Sequence, residues 1–180
     1  MKRLFLLGAL FTALYTSAQS TIPEFKNKVM FVQSASSLAE LDKADMNTDL
    51  HTNMGGHSEV NIVANGKSAS ITHSGAPTDK YVVKIEPGID PANVVELFKF
   101  DVGKKNRKIL VAEMSMGKDK TVELTKAKIS FTKVADGVYE ITSAAQLESG
   151  EYCFIVSRPN ISIMGAVNSQ ALIGYCFNVK

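Results

Sequence analysis

The chain has 180 residues, 45% hydrophobic and 21% charged, which suits one domain with its own core and excludes a disordered or collagen-like chain. Lysine and arginine number 20 against 18 acidic residues, and removal of Lys2 and Arg3 with an N-terminal leader would leave the signs balanced. That balance argues against a nucleic-acid partner, which needs a basic surplus or patch to neutralise phosphates.

Lys2 and Arg3 open the chain, residues 4–14 are an apolar run, and Thr16-Ser17-Ala18 supplies small residues. This is the pattern of a signal peptide cut after Ala18. The run is too short to span a bilayer, which takes about 20 apolar residues. The expectation is an exported protein, periplasmic or extracellular, with no integral membrane span after signal cleavage. No cysteine sits near the cut to carry a lipid.

Alternation of apolar and polar residues then predicts strands through most of the chain. Residues 28–33 read as the first. The segment 36–49 is the exception: Leu38, Leu41, Met46 and Leu50 give a weak helical spacing with Ser37 as a cap, and a charged loop fits as well. Residues 57–63 alternate and end at Asn65-Gly66, a tight-turn pair, so residues 67–72 read as a returning strand. Residues 81–86 form a strand closed by Pro87-Gly88, followed by a turn or single helical turn at Asp90-Pro91-Ala92-Asn93. Residues 94–101 and 108–114 read as a hairpin whose solvated tip is the basic cluster Lys104-Lys105-Asn106-Arg107-Lys108. Residues 121–124 read as a short edge strand. Residues 127–134 and 138–142 read as a hairpin turning at Asp136-Gly137, and two strands end the chain.

About nine to eleven short strands at this spacing predict an all-β, antiparallel β-sandwich, immunoglobulin-like or Greek-key. The organisation read from the sequence is a signal peptide at 1–18, an N-terminal strand with a polar or weakly helical segment at 19–56, and the main sandwich at 57–180.

The last two strands carry a repeat. Tyr152-Cys153-Phe154 and Tyr175-Cys176-Phe177 share a pattern, and theirs are the two cysteines of the chain. Alternation places Tyr152, Phe154 and Val156 on one face and Cys153 and Ile155 on the other; Tyr175, Phe177 and Val179 oppose Cys176 and Asn178. The aromatics read as core. Cys153 and Cys176 read either as a disulfide, favoured by an oxidising compartment, or as free core thiols. A catalytic redox pair is disfavoured, since there is no Cys-x-x-Cys. Leu147, Gly150 and Tyr152 resemble a tyrosine corner, in which the hydroxyl ties back to upstream backbone. Cys153 follows that tyrosine directly and faces the opposite way, so the immunoglobulin inter-sheet bridge is not implied.

Other chemistry is thin. His51 and His57 flank a glycine-rich stretch with Met54, Asp45, Asp49 and Glu59 near in sequence, a weak metal candidate whose spacing matches no ligand motif. Asp42, Asp45 and Asp49 lack the calcium-loop rhythm. No Gly-x-Ser-x-Gly elbow surrounds Ser115, and no phosphate loop or dinucleotide fingerprint occurs, so no catalytic residue and no cofactor is assigned. The apolar 157–170 stretch reads as a cover for one end of the fold or a partner surface.

Residues 129–157, with the closing Tyr-Cys-Phe-Asn-Val-Lys, resemble a group of uncharacterised exported bacterial proteins, Bacteroides-like, that carry a hairpin, a Leu-x-Pro-Gly-Glu-Tyr turn and a terminal Tyr-Cys-Phe-Gly-Val. Residues 81–109 look similar too. This chain has Ser149 and Asn178 where that pattern has proline and glycine. The resemblance implies a secreted β-sandwich and carries no activity. The functional expectation is a non-enzymatic envelope protein acting by protein interaction or structural association. A small-ligand or metal-binding module at 51–57 is the alternative, and a hydrolase is a more distant one.

Overall fold

A computed structural model describes residues 22–115, 118–122, 124–156 and 172–180. It is all-β, with no α-helix among those residues. The strands are β1 (Val29–Ser34), β2 (Ser37–Glu40), β3 (Asp42–Thr52), β4 (His57–Asn65), β5 (Thr72–His73), β6 (Lys80–Lys84), β7 (Val95–Val102), β8 (Asn106–Ser115), β9 (Lys118–Thr121), β10 (Lys126–Ala127), β11 (Ile129–Ala135), β12 (Val138–Ser143), β13 (Gly150–Val156) and β14 (Leu172–Val179). A single 3-10 turn, Pro91–Asn93, precedes β7, with the Asp90 carboxylate accepting from the Ala92 amide as its cap.

Two sheets form. One has five strands in the order β11-β12-β6-β1-β2. The other runs β10-β7-β13-β14-β3-β4-β8-β9, with β5 against β14. The expected sandwich of two open sheets gives way here, because β7 and β8 also pair with each other, Asp101 opposite Lys108 and Val102 opposite Arg107. That contact closes β7, β13, β14, β3, β4 and β8 into a six-strand barrel. The hairpin read from the sequence is real at its tip. Its arms then diverge, β7 onto β13 and β8 onto β4, and the divergence makes the barrel.

Two further readings change. Residues 37–52 form β2 and β3, with no helix; Leu41 and Met46 are buried in separate cores, an alternation that the sparse leucines disguised as a helical spacing. The strand expected to return on β4 after Asn65-Gly66 does not form, since β3 and β8 already occupy both edges of β4. Only Thr72–His73 is extended, and it pairs in parallel with Asn178 and Val179 of β14. The 157–170 stretch lies outside the described residues.

The alternation read in the last two strands positions both cores. Antiparallel register sets Tyr152 opposite Phe177, Cys153 opposite Cys176 and Phe154 opposite Tyr175. The aromatics point out of the barrel onto the five-stranded sheet, where they pack with Val29, Tyr81, Val83, Ile85 and Ile141. Tyr81 lies 4.9 Å from Phe154 and 5.2 Å from Phe177, ring to ring. The opposite face fills the barrel: Met46, Ile62, Ala64, Phe98, Phe100, Ile109, Cys153, Ile155 and Cys176. Each large side chain so buried contributes about 1.5–3 kcal/mol, and the barrel is a second core.

Candidate functional site

The sequence-predicted residues fall in different places. Cys153 and Cys176 are bonded to each other inside the barrel, 1% exposed each. They are covered by barrel side chains, and no thiol remains to titrate. Ser149 Oγ donates to the Val179 carbonyl at 3.1 Å, which ties the 147–150 turn to β14. Gly150 has φ +150, and a Cβ there would sit 2.9 Å from Lys99 Cε. Burial pushes the Tyr152 hydroxyl pKa up.

His51 and His57 do not converge on a metal site. His51 is opposite Glu59 across β3 and β4 and is exposed; His57 Nε2 lies 3.6 Å from Glu59 Oε1. No group of three or more His, Cys, Asp or Glu side chains able to hold an ion occurs among the described residues. Asn53 organises this hairpin turn instead, its Oδ1 accepting from the Gly55 and His57 amides.

The same hairpin carries the surface feature that stands out. Among the described residues, β14 accompanies β3 from Asp42 to Met46. From Asn47 to Thr52 β3 has β4 on one side and, among the described residues, no strand on the other. Leu50 on this stretch is 61% exposed and Met54 at its turn fully so. Met114, opposite Ser58 on β8, is exposed too. A backbone edge left unpaired among the described residues, beside exposed apolar side chains, has the character of a template for an added strand.

Two features escaped the sequence reading, a buried ion pair and a half-buried histidine. Arg107, placed in a solvated basic tip, is in fact 4% exposed and pairs with Glu151, 2% exposed, on the barrel wall. Its reach inward follows from the β7–β8 closure, which no local pattern announces. Glu151 carried a usable signal: it shares a strand face with Cys153 and Ile155, and a carboxylate on an interior face needs a cation. The second is His73, whose ring lies between the two sheets.

Comparison with family models, curated proteins and solved structures finds no match to this chain.

Proposed function

We propose that this is an exported, non-enzymatic protein of the bacterial cell envelope that acts by binding another protein, and that the partner adds an extended segment to the open edge of β3. The carrying observation is the run from Asn47 to Thr52, which among the described residues pairs with β4 alone, with Leu50 and Met54 exposed beside it. Backbone hydrogen bonds along such an edge supply affinity, and alternate side chains of the added strand supply specificity. The barrel interior is occupied by its own side chains, so the surface is what this fold offers a partner. The leader-like residues 1–18 and the resemblance of the C-terminal region to exported bacterial proteins support the envelope as the place of action.

Site-specific photo-crosslinking in intact cells tests this reading. A crosslinker at position 50 or 54 should capture one reproducible envelope protein, and Met114→Asp should weaken the capture without changing the fold. A crosslinker at Ser130, on the far edge of the five-stranded sheet, serves as control. Absence of an adduct at 50 and 54, or equal capture at 130, would refute the assignment.

A further inference from the structure

Residues 70–79 cross the seam between the barrel and the five-stranded sheet as a strap. Asp42 accepts hydrogen bonds from the Ser70 amide and hydroxyl at one end. The Asn178 amide donates to the Ile71 carbonyl at 2.8 Å, and Thr72–His73 lies in parallel along Asn178 and Val179. Gly75 then passes so close to β14 that a Cβ would meet Val179 Cγ1 at 2.7 Å, at a φ of +69. The Leu147 amide donates to the Gly75 carbonyl at 2.9 Å, and Gln146 Nε2 donates to the Ser74 carbonyl at 3.0 Å.

His73 pins the middle of this strap. Its ring centroid is 4.0 Å from Phe31, 5.5 Å from Phe177 and 5.7 Å from Tyr81. The site offers an imidazolium poor company. His73 Nε2 and the Tyr81 hydroxyl are both buried without a hydrogen-bond partner. β1 and β14 bring Phe31 and Phe177, which carry no charge. β6 brings Tyr81, whose hydroxyl burial keeps protonated. The strap itself brings Asp79, whose Oδ2 accepts from Ser74 Oγ at 2.8 Å and whose charge favours the protonated imidazole. Desolvation outweighs that attraction and holds the His73 pKa below 6.5. An imidazolium released to water regains its solvation.

We propose that the 70–79 strap is a pH-sensitive latch: uptake of a solvent proton by His73 expels the ring from between Phe31 and Phe177 and frees the edge of β14 at Asn178 and Val179. A neutral imidazole holds the strap shut above about pH 6.5, the ordinary histidine value. The closed state resists protonation, so acidification below that point shifts the population toward the open one. Opening exposes a second strand edge, distinct from that of β3, and leaves the barrel core untouched.

Hydrogen exchange of the full mature chain reads this directly. The Asn178 and Leu147 amides both donate to strap carbonyls. Their protection factors, corrected for intrinsic rate, should fall at least tenfold between pH 7.5 and 5.0, while amides of β13 keep theirs. His73→Phe keeps the aromatic contact and cannot titrate, so both amides should stay protected at both pH values. Unchanged protection in the wild type, the same fall in the variant, or an equal loss across β13 would overturn the proposal. Should His73→Phe fail to fold, the imidazole titration of the wild type followed by NMR decides. A value at or above 6.5 refutes the latch, and one clearly below it, concurrent with loss of protection, supports it.

Discussion

Arg107 Nη1 stands 3.0 Å from Glu151 Oε2, with both side chains buried where β7 and β8 close the barrel. The carboxylate also accepts from Ser68 Oγ at 2.7 Å, the Ala69 amide at 2.8 Å and Asn178 Nδ2 at 2.7 Å. Glu151 therefore ties the segment after β4 to three strands of the barrel. Removing one partner of a buried pair strands the other charge, at a cost of about 3–5 kcal/mol. Arg107→Met should lower stability by about that amount in urea unfolding. Combined with Glu151→Gln, the loss should be smaller than the sum of the single losses, since the neutral amide no longer needs a cation. A loss under 1 kcal/mol for Arg107→Met would mean that Ser68, Ala69 and Asn178 satisfy the carboxylate unaided.

The same carboxylate sets an acid limit. Burial raises the Glu151 pKa, and the hydrogen bonds from Ser68, Ala69, Arg107 and Asn178 together outweigh it, leaving the group below 4.5. A carboxylate with a depressed folded pKa contributes stability that is complete above its unfolded value and is lost as pH falls through the folded one. The wild type should therefore lose stability as pH drops below about 4.5, the unperturbed value. Glu151→Gln should start lower and show a flatter acid limb. Unfolding midpoints in urea across that range measure both slopes, and parallel slopes would exclude Glu151 as the titrating group.

The bond between Cys153 and Cys176 closes a loop spanning 23 residues, and chain-entropy reasoning gives it about 3 kcal/mol. Folded protein purified without reductant should take up no alkylating reagent, and denatured, reduced protein should take up two equivalents. The Cys153→Ala, Cys176→Ala double variant should fold with stability lowered by about that amount. Two alkylations without reductant would mean that the thiols are free.

The strand faces were legible because alternation is a local property: Tyr152, Phe154 and Val156 against Cys153 and Ile155 needed only the neighbouring residues. The turn at Asp136-Gly137 and the 3-10 turn after Asp90 were legible for the same reason. The barrel was not, because closure depends on two register pairs at the tip of one hairpin, Asp101 with Lys108 and Val102 with Arg107. Arg107 in turn looked solvated because its neighbours in sequence are lysines, while its neighbours in space are Glu151 and the Asn65 carbonyl. His73 gave no signal, since its ring contacts come from Phe31 and Tyr81 of another sheet. The edge of β3 beyond Met46 needed the register of β14, which among the described residues reaches Met46 at Leu172.

Gly174 provides a sharper test of the barrel interior. It lies on β14 opposite Ile155, between the Met46 side chain and the disulfide. A Cβ at 174 would overlap the Met46 methyl and approach Cys153 Sγ to 2.6 Å. The two neighbours differ in their freedom to yield: Met46 is a flexible chain and can change rotamer, whereas Cys153 is held by its bond to Cys176. Overpacking of this kind costs about 1–3 kcal/mol. Gly174→Ala should therefore destabilise by that amount in thermal or urea unfolding. Met46→Ala alone opens a cavity and costs about 2–5 kcal/mol. Together the two substitutions should cost less than their sum, because the new methyl enters the space the methionine leaves. Additive losses would mean that the clash is with the disulfide alone, and a neutral Gly174→Ala would contradict the close packing of β14 against β3.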